Sequence, residues 1–345
     1  MNRSYLHFFL RAFEWFTILM LPVVVVYVII DPFHCQRYHH EPAKLDIERS
    51  RGFTAINCFD HFNDSIHYDS FIIGSSVAGC YDIEHWQTYL PTGSQPIHID
   101  NSCQTTRQLL LNCRYIASKA PMRHVLIVLT PQFYNFRPFN GMVYTTPTQI
   151  QPTLIGKADS WFRQFRFSFD RRSIVSFLCV KWLHTEAPKE NTLGWLDPPF
   201  DFEPQRNIFR GKEDEEKFRR EGREYLAAHP FAADMMHSFP LATDFYSLRP
   251  DQVADLQGVK AILEQEHSDY HVVMTPSSYP LPSPEMTAQL VEIFGQHYID
   301  LSAEFSFYFY LPGYFCDLIH PMPELTRMLI DRIYGDPAPN AAVPQ

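Results

Sequence analysis

Sixteen consecutive residues without a charge, Trp15 to Ile30, constrain this chain more than any other stretch. Ala12 and Phe13 carry the apolar run past Glu14, close to the ~20 residues a bilayer-spanning helix needs. Pro22 inside it is tolerated in a membrane helix. Arg3 and Arg11 precede the run and Asp31 follows it, which predicts a cytoplasmic N-terminus and an exported remainder. Arg37, Lys44, Arg49 and Arg51 beyond it weaken that charge asymmetry. A cleaved signal peptide is the alternative. It is opposed by the length of the run, and no small-x-small site follows Ile30. A buried core helix is opposed by the four consecutive valines near a chain end. Residues 1–40 therefore read as a single-pass anchor and linker. His34, Cys35, His39 and His40 match no standard metal-ligand spacing, so a juxtamembrane linker is expected and no metal.

Beyond the linker, short apolar runs alternate with amphipathic ones. Lys44 to Phe62 reads as a helical or mixed connector. Phe71 to Ile73, Pro96 to Asp100 and His124 to Leu129 read as strands, with helices over Tyr81 to Leu90 and Thr106 to Ala117. Leu109, Leu110, Cys113 and Ile116 form one stripe of the second helix. The continuous β-branched run at 124–129 suits the middle of a parallel sheet, buried on both faces. The pattern resumes with a helix from Pro250 to Glu266, a strand from Tyr270 to Thr275, and a helix from Pro284 to Phe294. A strand at His297 to Leu301 and a helix from Leu325 to Tyr334 complete it. Such alternation predicts an α/β fold, a doubly wound, mainly parallel sheet flanked by helices over residues 41–335.

Residues 141–250 break the alternation and read as an insertion, a lid or cap on the sheet domain. Trp161 to Leu183 suggests one or two helices with a basic and aromatic face (Arg163, Arg166, Arg171, Arg172). A solvated helix face over a core-facing stripe is the plain reading; the membrane surface or an anionic glycan are the alternatives. Thr192 to Arg210 reads as a long loop, and Lys212 to Ala228 as a charged helix. The Pro/Ala-rich tail, 336–345, is expected to be disordered. A net charge of −10 makes nucleic acid or an anionic membrane surface an unsuitable electrostatic partner for the globular part.

Two short motifs carry chemistry. In Tyr68 to Cys80 an apolar strand meets Gly74-Ser75-Ser76 and then small residues, as where a parallel strand turns sharply into a helix. Gly74 would permit the tight turn, and a serine there would stand at the carboxyl edge of the sheet, where open α/β folds place their sites. A βα turn with Ser75 or Ser76 as N-cap fits the same residues. Near the other end, Asp317 and His320 stand three apart, just before a helix opened by Pro323. That spacing puts an acid where it can hold one imidazole tautomer while the other nitrogen acts as base toward a serine. Asp317 as a cap and His320 as a loop residue is the plainer reading. The aromatic stretch Thr130 to Asn140 lies at the expected carboxyl edge, as a groove lining or a packed loop.

Taken together, Gly74-Ser75-Ser76 and Asp317-Leu318-Ile319-His320 resemble the SGNH (GDSL-like) hydrolase superfamily. More narrowly the chain resembles its membrane-anchored bacterial branch, which includes DltD and the alginate O-acetylation proteins. Asp31-Pro32-Phe33 also resembles that branch's membrane exit. The resemblance spans 13–335 in layout and about a dozen residues in motif. It implies Ser76 as nucleophile, His320 as base and Asp317 as its orienting acid. Asn101-Ser102 falls where the family's glycine block lies, and Thr130-Pro131-Gln132 where its asparagine block lies, neither matching residue for residue. Asn101 and the Ser76 amide are the candidate oxyanion donors.

The implied activity is a serine esterase or O-acyltransferase on acyl esters of a cell-envelope glycan or exopolysaccharide, needing no cofactor. The implied setting is the inner membrane with the domain in the periplasm, and the implied partners are the acylated substrate and a membrane-bound O-acyltransferase. A non-catalytic anchored protein of the same fold, binding polysaccharide or such an acyltransferase, is the alternative. Cys80, Cys103 and Cys316 each lie within four residues of Ser76, Asn101 or Asp317, so a fold uniting those elements brings three thiols together.

Overall fold

The computed structural model describes residues 3–31, 34–39, 44–45, 50–102, 104–130, 146–169, 174–175, 178, 182–183, 200–210, 220–221, 247–276, 281–305 and 320–335. The chain opens with helix α1, Arg3–Ile30, whose segment His7–Ile30 is long and apolar enough to cross a membrane and is almost wholly exposed. At its end the chain knots around one carboxylate. Asp31, fully buried and with φ of 43°, accepts from the amides of Cys35 (3.0 Å) and Gln36 (3.1 Å) and contacts His39 Nε2 at 3.0 Å. The Asn57 amide donates to the His34 carbonyl at 2.9 Å, tying this knot to the next helix.

Strand β1, Lys44–Leu45, and helix α2, Arg51–Ile66, lead to β2, Ser70–Ser75. A 3₁₀ turn at Ala78–Cys80 and the short α3, Ile83–Gln87, follow. Then come β3, Pro96–Asn101, α4, Thr106–Ala117, and β4, His124–Leu129. Thr105 and Gln108 close a reciprocal capping box on α4. Helix α5, Leu154–Ser168, and the antiparallel hairpin β5, Phe200–Glu203, and β6, Ile208–Arg210, follow in the segment read as an insertion. Helix α6, Pro250–Gln265, β7, Asp269–Met274, α7, Pro284–Phe294, β8, Tyr298–Asp300, and α8, Pro323–Tyr334, complete the described chain.

Five strands form one sheet in the order β3-β2-β4-β7-β8, every neighbouring pair parallel. In the sheet's own chain order this is 2-1-3-4-5, the flavodoxin-like doubly wound arrangement, with its switch point beside the first strand, β2. Each face has its own core. Phe71, Ile73, Ile99 and Ile127 pack against α2, α4, α6 and α7; Ile72, Leu126, Val128 and Val273 pack against α3 and α8. The chain is thus an α/β protein with a parallel sheet between two helical layers and one apolar N-terminal helix.

Edge strand β3 is not left open. The His98 amide donates to the Arg206 carbonyl (3.1 Å), and Asn207 Nδ2 donates to the His98 carbonyl (3.1 Å). This hairpin corrects the loop expected over Thr192 to Arg210; its strands are too short, at four and three residues, to show an alternation. Tyr81 to Leu90 is helical only over Ile83–Gln87, because Asp82 caps at that point by accepting from the His85 amide (2.9 Å). Helix α5 begins at Leu154, before the expected Trp161. The charged segment 212–228, beyond residues 220–221, and the tail 336–345 lie outside the described residues.

Candidate functional site

Every residue of β2 is buried, and the strand delivers Ser76, half-buried, to the carboxyl edge of the sheet. The turn after it is tight. Cys80 and Tyr81 donate their amides to the carbonyls of Val77 (3.1 Å) and Ala78 (3.2 Å), and Cys80 Sγ lies 3.6 Å from the Ser76 carbonyl. Two glycines bracket Ser76, and both are there for room. A Cβ on Gly74 would lie 2.5 Å from the Val128 carbonyl oxygen and 2.8 Å from Ala78 Cβ; one on Gly79 would lie 2.7 Å from Asp100 Oδ2. Gly74 was expected to supply turn freedom. It is the fifth residue of β2, and what it permits is close approach to β4.

His320 reaches the same place from the far end of the chain. Its Nε2 lies 2.8 Å from Ser76 Oγ, across 244 residues of sequence. With the imidazole neutral and its proton on Nδ1, the serine hydroxyl donates to Nε2. The two meet because the segments that follow them are fastened together. After Ser76 comes α3; after His320 comes α8. Thr326 Oγ1 accepts from the Asp82 amide (3.2 Å), Arg327 Nε donates to Asp82 Oδ2 (2.6 Å), and Asp331 contacts His85 Nε2 (2.5 Å) and the Tyr89 hydroxyl. Leu325, Leu329 and Ile330 of α8 are fully buried on the sheet.

Asn101 ends β3 opposite Ser75, buried, with its carboxamide where a Cβ on Gly52 would stand at 2.7 Å. Its Oδ1 and the neighbouring Ser75 Oγ are both buried without a hydrogen-bond partner among the described residues. Asp317, Cys103, Cys316 and the aromatic stretch at 131–140 lie outside the described residues.

Beneath the turn lies a polar cluster the sequence did not announce. Asp100, fully buried, accepts from Arg51 Nη1 (3.0 Å) and Asn207 Nδ2 (2.9 Å), and the Arg51 guanidinium sits 4.9 Å over the Phe209 ring. His98 Nε2 donates to the Tyr81 carbonyl (3.0 Å), and its Nδ1 has no partner among the described residues. Burial outweighs the nearby Asp100 charge and lowers the His98 pKa to about 4, so this imidazole is neutral at pH 7. Tyr81 donates to Thr275 Oγ1 (3.1 Å), and burial raises its phenol. Among the described residues, no group of three or more His, Cys, Asp and Glu side chains converges as a metal site.

The arrangement is a serine hydroxyl in hydrogen-bond contact with an imidazole, at the switch point of a parallel sheet. A serine–imidazole pair of this kind can serve nucleophilic catalysis. No family model and no curated protein matches the chain.

Proposed function

We propose that this protein is a membrane-anchored serine esterase or O-acyltransferase of the SGNH type, acting on acyl esters of a cell-envelope glycan or exopolysaccharide. The observation that carries the reading is the 2.8 Å contact between Ser76 Oγ and His320 Nε2. His320 takes the hydroxyl proton as Ser76 Oγ bonds to the ester carbonyl carbon. The resulting oxyanion accepts from the Ser76 amide and the Asn101 carboxamide, each such donor being worth roughly a hundredfold in turnover. The intermediate collapses, His320 returns the proton to the leaving alcohol, and an acyl-Ser76 remains. Water or a sugar hydroxyl, deprotonated by the same imidazole, then takes the acyl group. Asp317, three residues before the histidine, holds the imidazole's other nitrogen, as the resemblance implies.

The apolar α1 anchors the chain in the inner membrane, with the sheet domain on the periplasmic side. A membrane-bound O-acyltransferase is a fitting source of acyl groups there.

A fluorophosphonate probe tests this on the full chain in detergent. Labelling of the wild type, absent in both Ser76→Ala and His320→Ala, is the expected result. A folded wild type that stays unlabelled would overturn the hydrolase reading in favour of an anchored polysaccharide-binding protein.

A further inference from the structure

Helix α5 is built inside out. At about 100° per residue, Trp161, Leu154, Phe165, Phe162 and Ile155 fall within one arc of roughly 120°. This is the width of an ordinary core-facing stripe, yet only its Trp161–Phe165 edge is half-buried, and the Leu154–Ile155–Phe162 side is open. Leu154 and Ile155 are each 84% exposed and Phe162 is 59% exposed, and just past the helix Phe169 is exposed as well. The stripe that faces inward is polar: Ser160, Gln164 and Ser168 are all buried. Ser160 Oγ donates to the Thr146 carbonyl (2.6 Å), Gln164 Nε2 to Thr148 Oγ1 (2.8 Å) and Ser168 Oγ to the Gln164 carbonyl (2.9 Å). A helix that buries its hydroxyls and leaves Leu154, Ile155 and Phe162 open is the reverse of what water selects.

The helix beside it supplies the reason. Tyr27, in the last turn of α1, packs its ring on Trp161, Phe165 and Phe169 with centroids 6.1, 5.1 and 6.0 Å away. Its hydroxyl lies 3.1 Å from Ser168 Oγ. Tyr27 is three residues from the end of α1 at Ile30, about 4.5 Å along the helix axis. The position is fixed from below as well, since Gln149, just before α5, donates to Asn57 (2.8 Å), and Asn57 donates to the linker knot. A helix packed at that level beside a membrane span lies where acyl chains meet headgroups. Arg166, exposed, borders the arc about 20° past Ile155, within reach of lipid phosphates, whereas Arg163 lies further round and pairs with Asp159 (2.8 Å). Further along, Trp182 and Leu183 add exposed apolar surface.

We infer that α5 is an interfacial helix, seated with its Leu154–Ile155–Phe162 face in the acyl-chain boundary of the bilayer that α1 spans. The inference rests on α1 being a membrane span, not on the chemistry proposed for Ser76. It makes the anchor a two-helix platform that fixes the tilt of the sheet domain on the membrane.

The test uses the full chain in phosphatidylethanolamine–phosphatidylglycerol vesicles, with photoreactive p-benzoylphenylalanine placed singly at 19, 155, 162 or 257. Leu19 lies within α1, and Gln257 is an exposed residue of α6. Lipid adducts at 155 and 162 should match those at 19 and exceed those at 257 by at least about tenfold, as for a face buried in the interface. Adducts at 19 but background at 155 and 162 would overturn the inference and leave the span intact. No adduct at 19 would remove the span, and the inference with it. Cross-links from 155 and 162 to a second copy of the chain would make this face a protein interface and also overturn the inference.

Discussion

Ser76 directly follows a strand in which every residue is buried, with backbone or carboxylate atoms pressed against the glycines on either side of it. His320 stands before a helix whose apolar face is buried but whose register on α3 is set by half-exposed polar pairs, Arg327 with Asp82 and Asp331 with His85. The serine side is fixed by close packing, which has no give. On the histidine side, burial holds the helix while ion pairs choose its rotation, and such pairs contribute little each. The contact between them should therefore fail differently from its two ends. Damage on the serine side unfolds the domain. Damage on the histidine side misaligns it.

The largest effect belongs to Gly74. A methyl group there meets a backbone oxygen of β4 at 2.5 Å, so Gly74→Ala should cost about 3 kcal/mol or more, read as a lowered urea midpoint. An unchanged midpoint would break the comparison at its stronger half.

Next comes the buried His98, also on the serine side. Its folded pKa is about 4 against about 6.5 unfolded, so the folded state takes up its proton later. The stability this confers is complete above pH 6.5 and declines as pH falls from 6.5 to 4, by about 3 kcal/mol. Urea midpoints measured across that range should fall more steeply for the wild type than for His98→Gln. Parallel curves would show that His98 does not carry this dependence.

The smallest effect on stability belongs to Asp331→Ala, about 1 kcal/mol or less, because the pair it removes is partly solvated. Its fluorophosphonate labelling rate should nevertheless fall roughly tenfold, as His320 drifts from Ser76. A stability loss equal to that of Gly74→Ala would erase the distinction between the two sides.

The sequence carried the elements whose pattern is local. The 124–129 run, the capped helix at 106–117 and the Pro-opened helix at 284–294 fall where periodicity and caps put them. Ser76 and His320 were legible as a pair because each lies in a short motif at a predictable edge; their roles rest on the proposal above. The Arg51–Asp100–Asn207 cluster was not legible. Its members are 49 and 107 positions from Asp100, and no spacing rule links residues that far apart. Helix α5 misled in a more instructive way. The plain reading of Trp161 to Leu183 put an apolar stripe in the core and kept the membrane surface as an alternative, because sequence periodicity reports that a helix has two faces, not which one meets the protein.

The hairpin over β3 has a consequence for how the chain comes into being. A ribosome finishes His98 109 residues before it reaches Asn207, and in that interval the edge of β3 has nothing to pair with. An unpaired strand edge is a template for other chains. Trimming the insertion to obtain a minimal domain would make that interval permanent, and the product should polymerise rather than remain as single molecules. The segment that looks most dispensable in the sequence is the one that closes the sheet.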